Sequence, residues 1–597
     1  MKPQPTSVGG TAAGRWDRPW VLALLAALLA AGIFAAYRPA LHAPFLLDDD
    51  DSIAKNPTIR SFATAPFPPT GSGITVSGRP LLNLSLAVNY RLGGGEPPGY
   101  RVGNLLIHLA AALGLFGVVR RTLRLPGLAA RFGAEATPLA WFAAAWWALH
   151  PLQTESVTYV IQRAESMMGL CFLLTLYCAI RSASSPHPWR WTVAAVLACA
   201  LGMGSKEVMV VAPVMVLLYD RMFIAPSWRD IARHRGWLYA GLAATWLLLA
   251  FLLASDIGVP DRQVVPVRNL TPFGYALTQF EVIVHYLRLA LWPHPLVFDY
   301  AWQLTETVAA ALPYAAVVAA LVAATLLALG RRYWAGFWGA WFFVILSPTS
   351  TVVVIADPAF EHRMYLPLAA VAVLVVIATH RALAWGQQRL GAAPTARRGL
   401  EVALAAGAIA ALAAATIQRN TDYRSELAIW ADTVAKRPAN PRARVNLGVA
   451  LARLERFDEA VEQYDAALRR NPRYPLAYRS LGSALASQGK LDAAVAQYTE
   501  ALRLDADDAE ARSNIGAVLS RQGKFREAIP HLTRAIELNP GNAAAHNNLG
   551  AAVGSEGRVD EAIRHFTEAL RLKPGYAEAR DNLRKAQASR QPSRPAP

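Results

Sequence analysis

Long apolar runs alternate with short polar stretches over roughly the first 420 residues, and the pattern then changes completely. Eleven of these runs approach the roughly 17 to 25 residues that a helix needs to cross a bilayer. By residue number they are 19–37, 103–120, 138–150, 166–184, 190–204, 207–222, 236–254, 306–329, 333–349, 365–384 and 399–417. We therefore predict an all-α chain whose residues 19–418 form a polytopic membrane domain of about 11 spans.

Arginines between the apolar runs set the expected orientation. Residues 1–18 are basic and no clear cleavage site follows the first run, so we expect a cytoplasmic N-terminus and a retained signal anchor. With this start, five arginine-containing loops fall on the cytoplasmic side, as the positive-inside rule requires. Residues 275–292 carry ionisable side chains at helical spacing and are interpreted as an interfacial or re-entrant helix. The alternative is a further span, which would place one basic pair outside.

The sequence after residue 420 repeats itself every 34 residues. The repeated positions are Leu447-Gly448, Leu481-Gly482, Ile515-Gly516 and Leu549-Gly550, then Ala460, Ala494, Ala528 and Ala562, with Pro438, Pro472, Ala506, Pro540 and Pro574 at the junctions. This period, with small residues at helix crossings, is the tetratricopeptide pattern of two antiparallel helices per repeat. We predict an α-solenoid over residues 419–588, with four full repeats over about 438–573 and a flanking helix on each side. Residues 589–597 are expected to form a disordered tail.

Such an array offers a groove for an extended peptide, lined mainly by the first helix of each repeat. Four asparagines are candidates for the groove because an amide pairs with a peptide backbone whatever its sequence. They are Asn446, Asn514, Asn547 and Asn548. The alternative is that these polar faces are only solvated.

Composition excludes some classes of function. The net charge is +17, but much of it is arginine beside apolar runs, so we expect no nucleic-acid partner. Cys171, Cys178 and Cys199 lie inside apolar runs. They are therefore expected to be buried, without a disulfide framework or a metal site.

Four consecutive aspartates, residues 48–51, follow the first apolar run by a few residues. Because adjacent carboxylates repel one another, we expect them outside any core. Three interpretations are open: a solvated acidic loop, a divalent-cation site with Asp49 and Asp50 as candidate ligands, or the source of a general base. We favour a base, with Asp48 and Asp49 as the catalytic candidates and a metal role able to coexist. No cofactor is otherwise expected.

Three more polar clusters fall at the ends of apolar runs on the same expected side. Glu155 and Tyr159 share one face of a predicted helix and are interpreted as a wall of the site, with Arg163 near its end. The alternative is a membrane-surface helix with incidental polar residues. Lys206, in a short turn, either forms a neutralising pair with Glu207 or contacts an anionic headgroup.

The third cluster surrounds Arg363, just before a later apolar run. An arginine fork matches two phosphate oxygens, and His362 beside it adds a donor, so both are candidates for binding a lipid-linked phosphate. Snorkelling of the arginine at a helix start is the alternative.

These clusters belong to a series of short motifs. In chain order the motifs are Phe45-x-x-Asp48-Asp49-x-x-x-Ile53-x-x-Asn56, Arg79-Pro80-Leu81 with Asn89-Tyr90, Asn104 with His108, His150-Pro151-x-x-Thr154-Glu155-x-Val157-x-Tyr159, Lys206-Glu207 with Leu217-Leu218-Tyr219-Asp220, and Glu361-His362-Arg363-x-Tyr365-Leu366-Pro367. With the terminal repeats, this series resembles the transmembrane and TPR-containing O-mannosyltransferases and their bacterial relatives.

The resemblance implies a GT-C-type glycosyltransferase, which moves a sugar from a polyprenyl phosphate to Ser or Thr of an exported protein, with inversion, on the non-cytoplasmic face. It implies that Asp48 and Asp49 are the catalytic carboxylates, although four aspartates in place of the usual acidic pair leave open which one acts. By resemblance, the donor phosphate would be bound by Arg363, His362, Lys206 and Arg163, and the substrates by Glu155, Tyr159, Glu361 and Arg79.

The expected location is a bacterial cytoplasmic membrane, with the repeats on the outer side and an acceptor protein in their groove. Mannose is one candidate for the sugar, which the sequence does not specify. A membrane-anchored, non-enzymatic scaffold for envelope or secretion proteins is the main alternative. A transporter is disfavoured because the ionisable residues cluster at one membrane surface.

Overall fold

The chain divides into two compact units, Met1–Ser425 and Glu426–Pro597. The computed structural model describes residues 15–69, 74–255, 271–351, 357–391 and 393–590. All regular elements in those ranges are helical, which confirms the predicted all-α class. The predicted cytoplasmic N-terminus, except residues 15–18, lies outside the described residues.

The described part of the first unit contains fifteen α-helices, many of which begin at a proline. Proline suits the first turn of a helix because it has no backbone N–H to leave unbonded. The helices are α1 Pro19–Tyr37, α2 Pro80–Gly93, α3 Pro97–Leu123, α4 Pro126–Phe132, α5 Ala136–Ala148, α6 Thr154–Thr158, α7 Arg163–Ser184, α8 Pro188–Met203, α9 Ala212–Tyr219, α10 Trp228–Ser255, α11 Pro272–Leu291, α12 Val308–Gly330, α13 Trp334–Leu346, α14 Pro367–Leu390 and α15 Pro394–Asp422.

Among the described residues, seven helical segments are long and apolar enough to cross a membrane, so the predicted count of 11 is wrong. They are Pro19–Ala40, Pro97–Leu123, Val160–Ser184, Trp228–Ala254, Val308–Gly330, Pro367–Leu390 and Pro394–Asp422. The other four apolar runs form α5, α8, α9 and α13, with 13, 16, 8 and 13 residues. Most residues of α5 and α13 are buried, so their apolar character reflects packing against protein. Helix α11 is not among the seven segments.

Buried aromatic side chains hold the chain segment that enters α14. Trp147 donates its indole N–H to the carbonyl of Tyr365 at 2.7 Å, and Trp341 donates to the carbonyl of Leu366 at 2.8 Å. The Tyr365 hydroxyl lies 2.9 Å from Nδ1 of His108. These bonds from α3, α5 and α13 hold Tyr365 and Leu366, the two residues that directly follow the turn Glu361–Met364 with its predicted polar cluster.

The second unit is the predicted α-solenoid, and α17 to α24 form its four helix pairs. Helix α16 precedes the pairs and α25 follows them, as expected for flanking helices. The helices are α16 Glu426–Lys436, α17 Pro441–Arg453, α18 Phe457–Arg470, α19 Pro475–Ser487, α20 Leu491–Leu504, α21 Ala509–Arg521, α22 Phe525–Leu538, α23 Ala543–Ser555, α24 Val559–Leu572 and α25 Ala577–Arg590. The predicted tail begins inside α25, and its residues 591–597 lie outside the described residues.

The turn inside each helix pair contains one residue in the left-handed conformation. Glycine takes this position in three repeats, with φ of +79° at Gly489, +76° at Gly523 and +81° at Gly557. The first repeat has Glu455 there, with φ of +59°. A side chain at positive φ is strained because its Cβ crowds the following carbonyl.

Candidate active site

The aspartate run lies between α1 and α2 and is divided between core and surface. Asp49 is fully buried, which contradicts the expectation that all four aspartates lie outside the core. Its two carboxylate oxygens accept hydrogen bonds from the backbone N–H groups of Leu46, at 3.0 Å, and Ile161, at 2.8 Å. These donors replace water around the carboxylate, so burial of the charge is tolerated. Burial still raises the pKa of Asp49 to about 7, although the two N–H donors and Arg101 oppose the rise.

Asp48 is only partly buried and faces a different set of groups. Its backbone N–H donates to the Tyr159 hydroxyl at 3.0 Å, and the Thr75 hydroxyl donates to its Oδ2 at 3.2 Å. Asp51 is exposed and pairs with Lys55, one helical turn later, at 2.9 Å. Asp48 is therefore the catalytic candidate that retains access to solvent.

Arg101, which the sequence analysis missed, holds the chain entering the aspartate run. This buried arginine donates to the carbonyls of Ala43, Pro44 and Thr158, the last two at 2.6 and 3.3 Å. It lies in the first turns of an apolar helix, at the end that the orientation expected from the sequence places outside, where the positive-inside rule disfavours arginine. That placement was a usable signal in the sequence.

Glu155 and His362 form a buried pair that joins α6 to the turn before α14. The Glu155 carboxylate accepts from the His362 backbone N–H at 2.9 Å and from its ring Nδ1 at 2.8 Å. Burial raises the pKa of Glu155 to about 7. Burial and the nearby Lys206 ammonium hold the pKa of His362 well below its ordinary range. A neutral imidazole that donates from Nδ1 to the carboxylate fits both shifts.

The predicted helix face shared by Glu155 and Tyr159 is not present. Helix α6 ends at Thr158, and Tyr159 is extended, with φ of −73° and ψ of 110°. A short 3₁₀ turn, Val160–Gln162, then leads into α7. Because of this break, the Tyr159 hydroxyl and the Ile161 N–H bind Asp48 and Asp49. These groups therefore hold the aspartate run and do not form one face of a helix with Glu155.

Glu361 is buried beside the Glu155 pair, away from solvent. Its Oε1 accepts from the Val297 N–H at 2.6 Å and the Tyr300 hydroxyl at 2.9 Å, and its Oε2 lies 3.8 Å from an Arg419 guanidinium nitrogen. Burial raises the pKa of Glu361 to about 7, and Arg419 opposes the rise. Sequence reasoning missed Arg419, which lies two residues after the last apolar run, near the end of α15.

The basic residues of the site are already engaged by the protein. Lys206 pairs with Glu165 at 2.5 Å, both nearly buried, and not with its neighbour Glu207. Glu207 instead pairs with Arg79 at 3.2 Å. Arg363 donates to two carbonyls of its own loop, those of residues 357 and 358, both at 2.7 Å.

A small cavity of about 10 Å³ lies between Glu165 and Arg363. It has room for about one water molecule, and Glu165 on its wall is the ion-pair partner of Lys206. An anionic group would enter here only after Arg363 exchanged its carbonyl partners for the oxygens of that group. The cavity thus lies between the Lys206–Glu165 ion pair on one wall and Arg363 on another.

Arg163 lies apart from this cavity and ties three helices together. Its guanidinium donates to the Asn104 side chain at 2.5 Å and to the carbonyls of Tyr100, at 2.6 Å, and Ser85, at 3.2 Å. Its side chain is 1% exposed. These acceptors from α2 and α3 satisfy the guanidinium, which makes a positioning role the natural one for Arg163.

The described residues do not offer a convincing metal site. No cluster of three or more His, Cys, Asp or Glu side chains suited to a metal ion occurs among them. Both oxygens of Asp49, a candidate ligand beside Asp50, accept from backbone N–H groups that a cation would repel. The three cysteines are buried thiols, as the sequence predicts.

The asparagine candidates of the second unit are not equivalent. Asn547 is fully buried, with its amide joined to Glu578 at 3.3 Å and to Asn582 at 3.0 Å, both on the final helix. The remaining three occupy the same position in their repeats and are half-buried. They are Asn446, Asn514 and Asn548.

Family models match the repeat region. One, described as TPR repeat, matches residues 451–489 and 482–523, and another, described as Tetratricopeptide repeat, matches residues 514–577. Among solved structures, YrrB, described as a TPR protein with an unusual peptide-binding site, is 24% identical and covers 27% of this chain and 82% of its own, with a TM-score of 0.24. TTC0263, a thermophilic TPR protein of Thermus thermophilus, is 23% identical and covers 28% and 91%, with a TM-score of 0.25.

Curated proteins match a larger part of the chain. Protein O-mannosyl-transferase Tmtc2 of Drosophila melanogaster is 30% identical over 285 residues, which cover 45% of this chain and 29% of that protein. The Xenopus laevis and Homo sapiens proteins of the same description are 35% and 33% identical over 155 residues, or 25% of this chain and 17% of each relative. This chain thus spans less than a third of the length of these relatives. The Drosophila match must extend beyond the repeat unit, because it covers 45% of this chain and the repeat unit makes up less than a third of it.

Proposed function

The chain is a TPR-containing relative of the protein O-mannosyl-transferases, and on that premise we propose that it is a membrane glycosyltransferase. It moves a sugar, with mannose as the first candidate, from a polyprenyl-phosphate donor to a Ser or Thr hydroxyl of an exported protein. The observation that carries the proposal is the aspartate run. One carboxylate, Asp48, retains solvent access while its neighbour Asp49 is buried and fixed by two backbone donors.

In the proposed reaction, the Asp48 carboxylate takes the proton of the acceptor hydroxyl. The hydroxyl oxygen then bonds to the anomeric carbon, and the bond from that carbon to the lipid phosphate oxygen breaks. The electron pair leaves with the phosphate, and a single displacement of this kind inverts the anomeric centre. Asp49 and Tyr159 position the Asp48 backbone, since they join the run to the loop between α6 and α7.

The leaving phosphate is assigned to the basic cluster around the small cavity. Arg363 lines this cavity and Lys206 pairs with Glu165, which also lines it, and the charge that grows on the phosphate is stabilised by the N–H groups of the two basic side chains. Glu155 holds the His362 ring at the edge of this cluster, and Arg79 adds positive charge there. Glu361 supports the same turn from inside. Arg163, first a donor-binding candidate, is assigned to positioning α2, α3 and α7.

The acceptor protein is assigned to the repeats, where Asn446, Asn514 and Asn548 present half-buried amides at one repeat position. Asn547 is assigned to the cap of the array because Glu578 and Asn582 occupy its amide. We place the protein in a bacterial cytoplasmic membrane, with its N-terminus inside and its repeats outside.

The test is transfer by purified full-length protein from a panel of labelled polyprenyl-phosphate sugars to an extract of exported proteins. The Asp48→Asn variant should lose transfer, whereas Asp51→Asn, in the same loop, should keep it. Full transfer by Asp48→Asn would remove the proposed base. No transfer from any donor, together with capture of an envelope protein by the repeats, would favour the scaffold function. That alternative is worth testing because the repeats form a compact unit of their own.

A further inference from the structure

A second and much larger cavity lies at the other end of α7. It is a groove of about 860 Å³ between the C-terminal end of α7 and the N-terminal ends of α8 and α10. The candidate active site adjoins the first residues of α7, which has 22 residues and is therefore about 33 Å long. The groove and the active site thus belong to opposite membrane surfaces.

The walls of the groove combine apolar surface with large exposed aromatic side chains. Trp189 of α8 and Trp237 of α10 both line the groove and are 63% and 89% exposed. Leu197, deeper along α8, also lines the groove and is 58% exposed. Tryptophan is enriched where a membrane meets water, because its ring is apolar and its N–H is polar. An aliphatic chain suits these walls better than a polar ligand does.

Three arginines are the immediate sequence neighbours of residues that line the groove, and we call them the rim arginines: Arg190 follows Trp189, Arg229 precedes Asp230 and Arg233 precedes His234. The Arg190 guanidinium lies 5.5 Å from the ring centroid of Trp189. On α10, Arg229, Arg233 and Trp237 follow one another at intervals of four residues and so share one face. All three arginines are exposed. The one lining carboxylate among the described residues, that of Asp230, accepts from the Ser227 hydroxyl at 2.5 Å.

The wall below the rim is fixed by ion pairing. Arg235 lines the groove, but its guanidinium pairs with Asp220 at 2.6 Å and donates to the Ala179 carbonyl at 2.7 Å. This arginine therefore joins α10 to α7 and to the turn after α9. The exposed rim arginines are the ones available to a ligand.

We propose that this groove binds one anionic glycerophospholipid of the surrounding membrane, with its acyl chains on the apolar walls and its phosphate at Arg190, Arg229 and Arg233. Basic pockets between membrane helices bind anionic headgroups, and each arginine near a membrane surface adds roughly fivefold to the affinity. The proposal is independent of the transferase activity, since it rests on the membrane helices and the groove alone.

The experiment uses the full chain, delipidated in detergent, with phosphatidylglycerol or phosphatidylcholine added, and bound lipid measured by native mass spectrometry. We expect one phosphatidylglycerol to remain bound and to be preferred to phosphatidylcholine by at least about tenfold. Replacing the three rim arginines by glutamine should remove most of that preference. The matched control is Arg389→Gln, because Arg389 also stacks on an exposed tryptophan, Trp385, at 5.0 Å but is not adjacent in sequence to any residue that lines this groove.

A second variant separates the contribution of the acyl-chain contacts from that of the headgroup charge. Trp237→Ala removes an exposed side chain, so it should leave the thermal midpoint of unfolding unchanged. It should weaken the binding of both lipids severalfold. Equal retention of the two lipids by the wild type, or an unchanged preference in the triple variant, would overturn the proposal. Displacement of phosphatidylglycerol by an equimolar polyprenyl phosphate would also overturn it, because the occupant would then be the carrier lipid.

Discussion

The aspartates at residues 48–51 differ in environment, and Asp49 is the one that the structure shows held by backbone donors from two directions. Leu46 and Ile161 bind the two oxygens of Asp49, which allows burial, while Asp51 keeps an exposed lysine partner. Adjacent residues of one chemical type thus take a structural role and a solvent-facing role. A rule based on charge repulsion alone predicts the same environment for all four.

Replacing Asp49 by Asn should destabilise the protein, since an amide offers one acceptor where two N–H donors must be satisfied. One donor would then face the amide NH₂ group at a buried site, at a cost of about 1–3 kcal/mol. Thermal unfolding in detergent measures the change, and Asp51→Asn is the control expected to unfold like the wild type. An Asp49→Asn protein of unchanged stability but without activity would instead indicate that Asp49 is the base.

The stability of the membrane unit should depend on the protonation of Glu155. Its pKa is about 7 in the folded protein and about 4.5 when unfolded, so the folded state holds a proton that the unfolded state releases. The contribution of Glu155 is therefore fully present below about pH 4.5 and is lost as the pH rises through 7, by up to about 3 kcal/mol. Glu155→Gln removes this dependence.

Unfolding midpoints of wild type and Glu155→Gln, compared from pH 5 to pH 8, test this prediction. The difference between the two proteins should shift in favour of the variant as the pH rises. His362 changes stability in the opposite sense, because its lowered pKa favours folding at higher pH, but it is present in both proteins. Parallel profiles would show that Glu155 is already ionised at pH 5.

Single residues show where sequence reasoning stops. Tyr159 and Glu155 were found by their pattern, but the break in the chain between them could not be, because it depends on bonds to the aspartate run. Arg163 carries the same charge as Arg363, and only the structure reveals that Asn104 and two carbonyls satisfy it. The partners of a buried charge come from distant parts of the chain.

At the scale of helices, the period of 34 residues predicted the repeat unit well, because in each repeat the recurring glycine of the first helix packs against a large side chain of the second helix in the same way. The membrane helices were harder to predict. Apolar composition identifies contact with lipid and contact with protein equally, so α5 and α13 were counted as spans although they are short and mostly buried. A sequence period identifies repeats, but no comparable pattern distinguishes an apolar helix buried in a bundle from one that crosses the membrane.

Glu455→Gly should stabilise the first repeat. The glutamate adopts φ of +59° at a position where the other three repeats have glycine. Relief of the steric cost, less the greater entropy of an unfolded glycine, leaves a gain of about 0.5–1 kcal/mol. Chemical denaturation of the full chain, followed at the repeat transition, measures it. Glu455→Ala removes the same charge but keeps a Cβ, so a similar gain in that variant would contradict the strain argument.

Gly482→Ala should destabilise the second repeat. A Cβ at this position would lie 2.8 Å from the Tyr498 ring, so the two helices of the pair would have to separate. Overpacking of this kind costs about 1–3 kcal/mol. The matched control is Gly575→Ala, because a Cβ there meets no atom within 4 Å. If both substitutions lower the midpoint equally, close packing at the helix crossing is not the cause.

The whole molecule consists of two units that each have their own core, and the proposed division of labour can be tested by separating them. Deleting residues 426–597 should reduce transfer to a protein acceptor at least tenfold, because an acceptor held near the site gains effective concentration. Transfer to a short Ser/Thr peptide should be retained. Initial rates with both acceptors, at equal amounts of inserted protein, measure the difference. Equal loss with both would mean that the repeats are needed for the membrane unit to function.

The regular spacing of the repeats also bears on how such a protein can change over evolutionary time. Each helix pair contacts mainly the pairs before and after it, so stability in the array is shared between neighbours and not set by one central core. Duplication or loss of a 34-residue segment at a junction such as residue 506 would preserve both neighbouring contacts. The length of the repeat array is therefore free to vary by whole repeats in a lineage while the membrane unit remains unaltered.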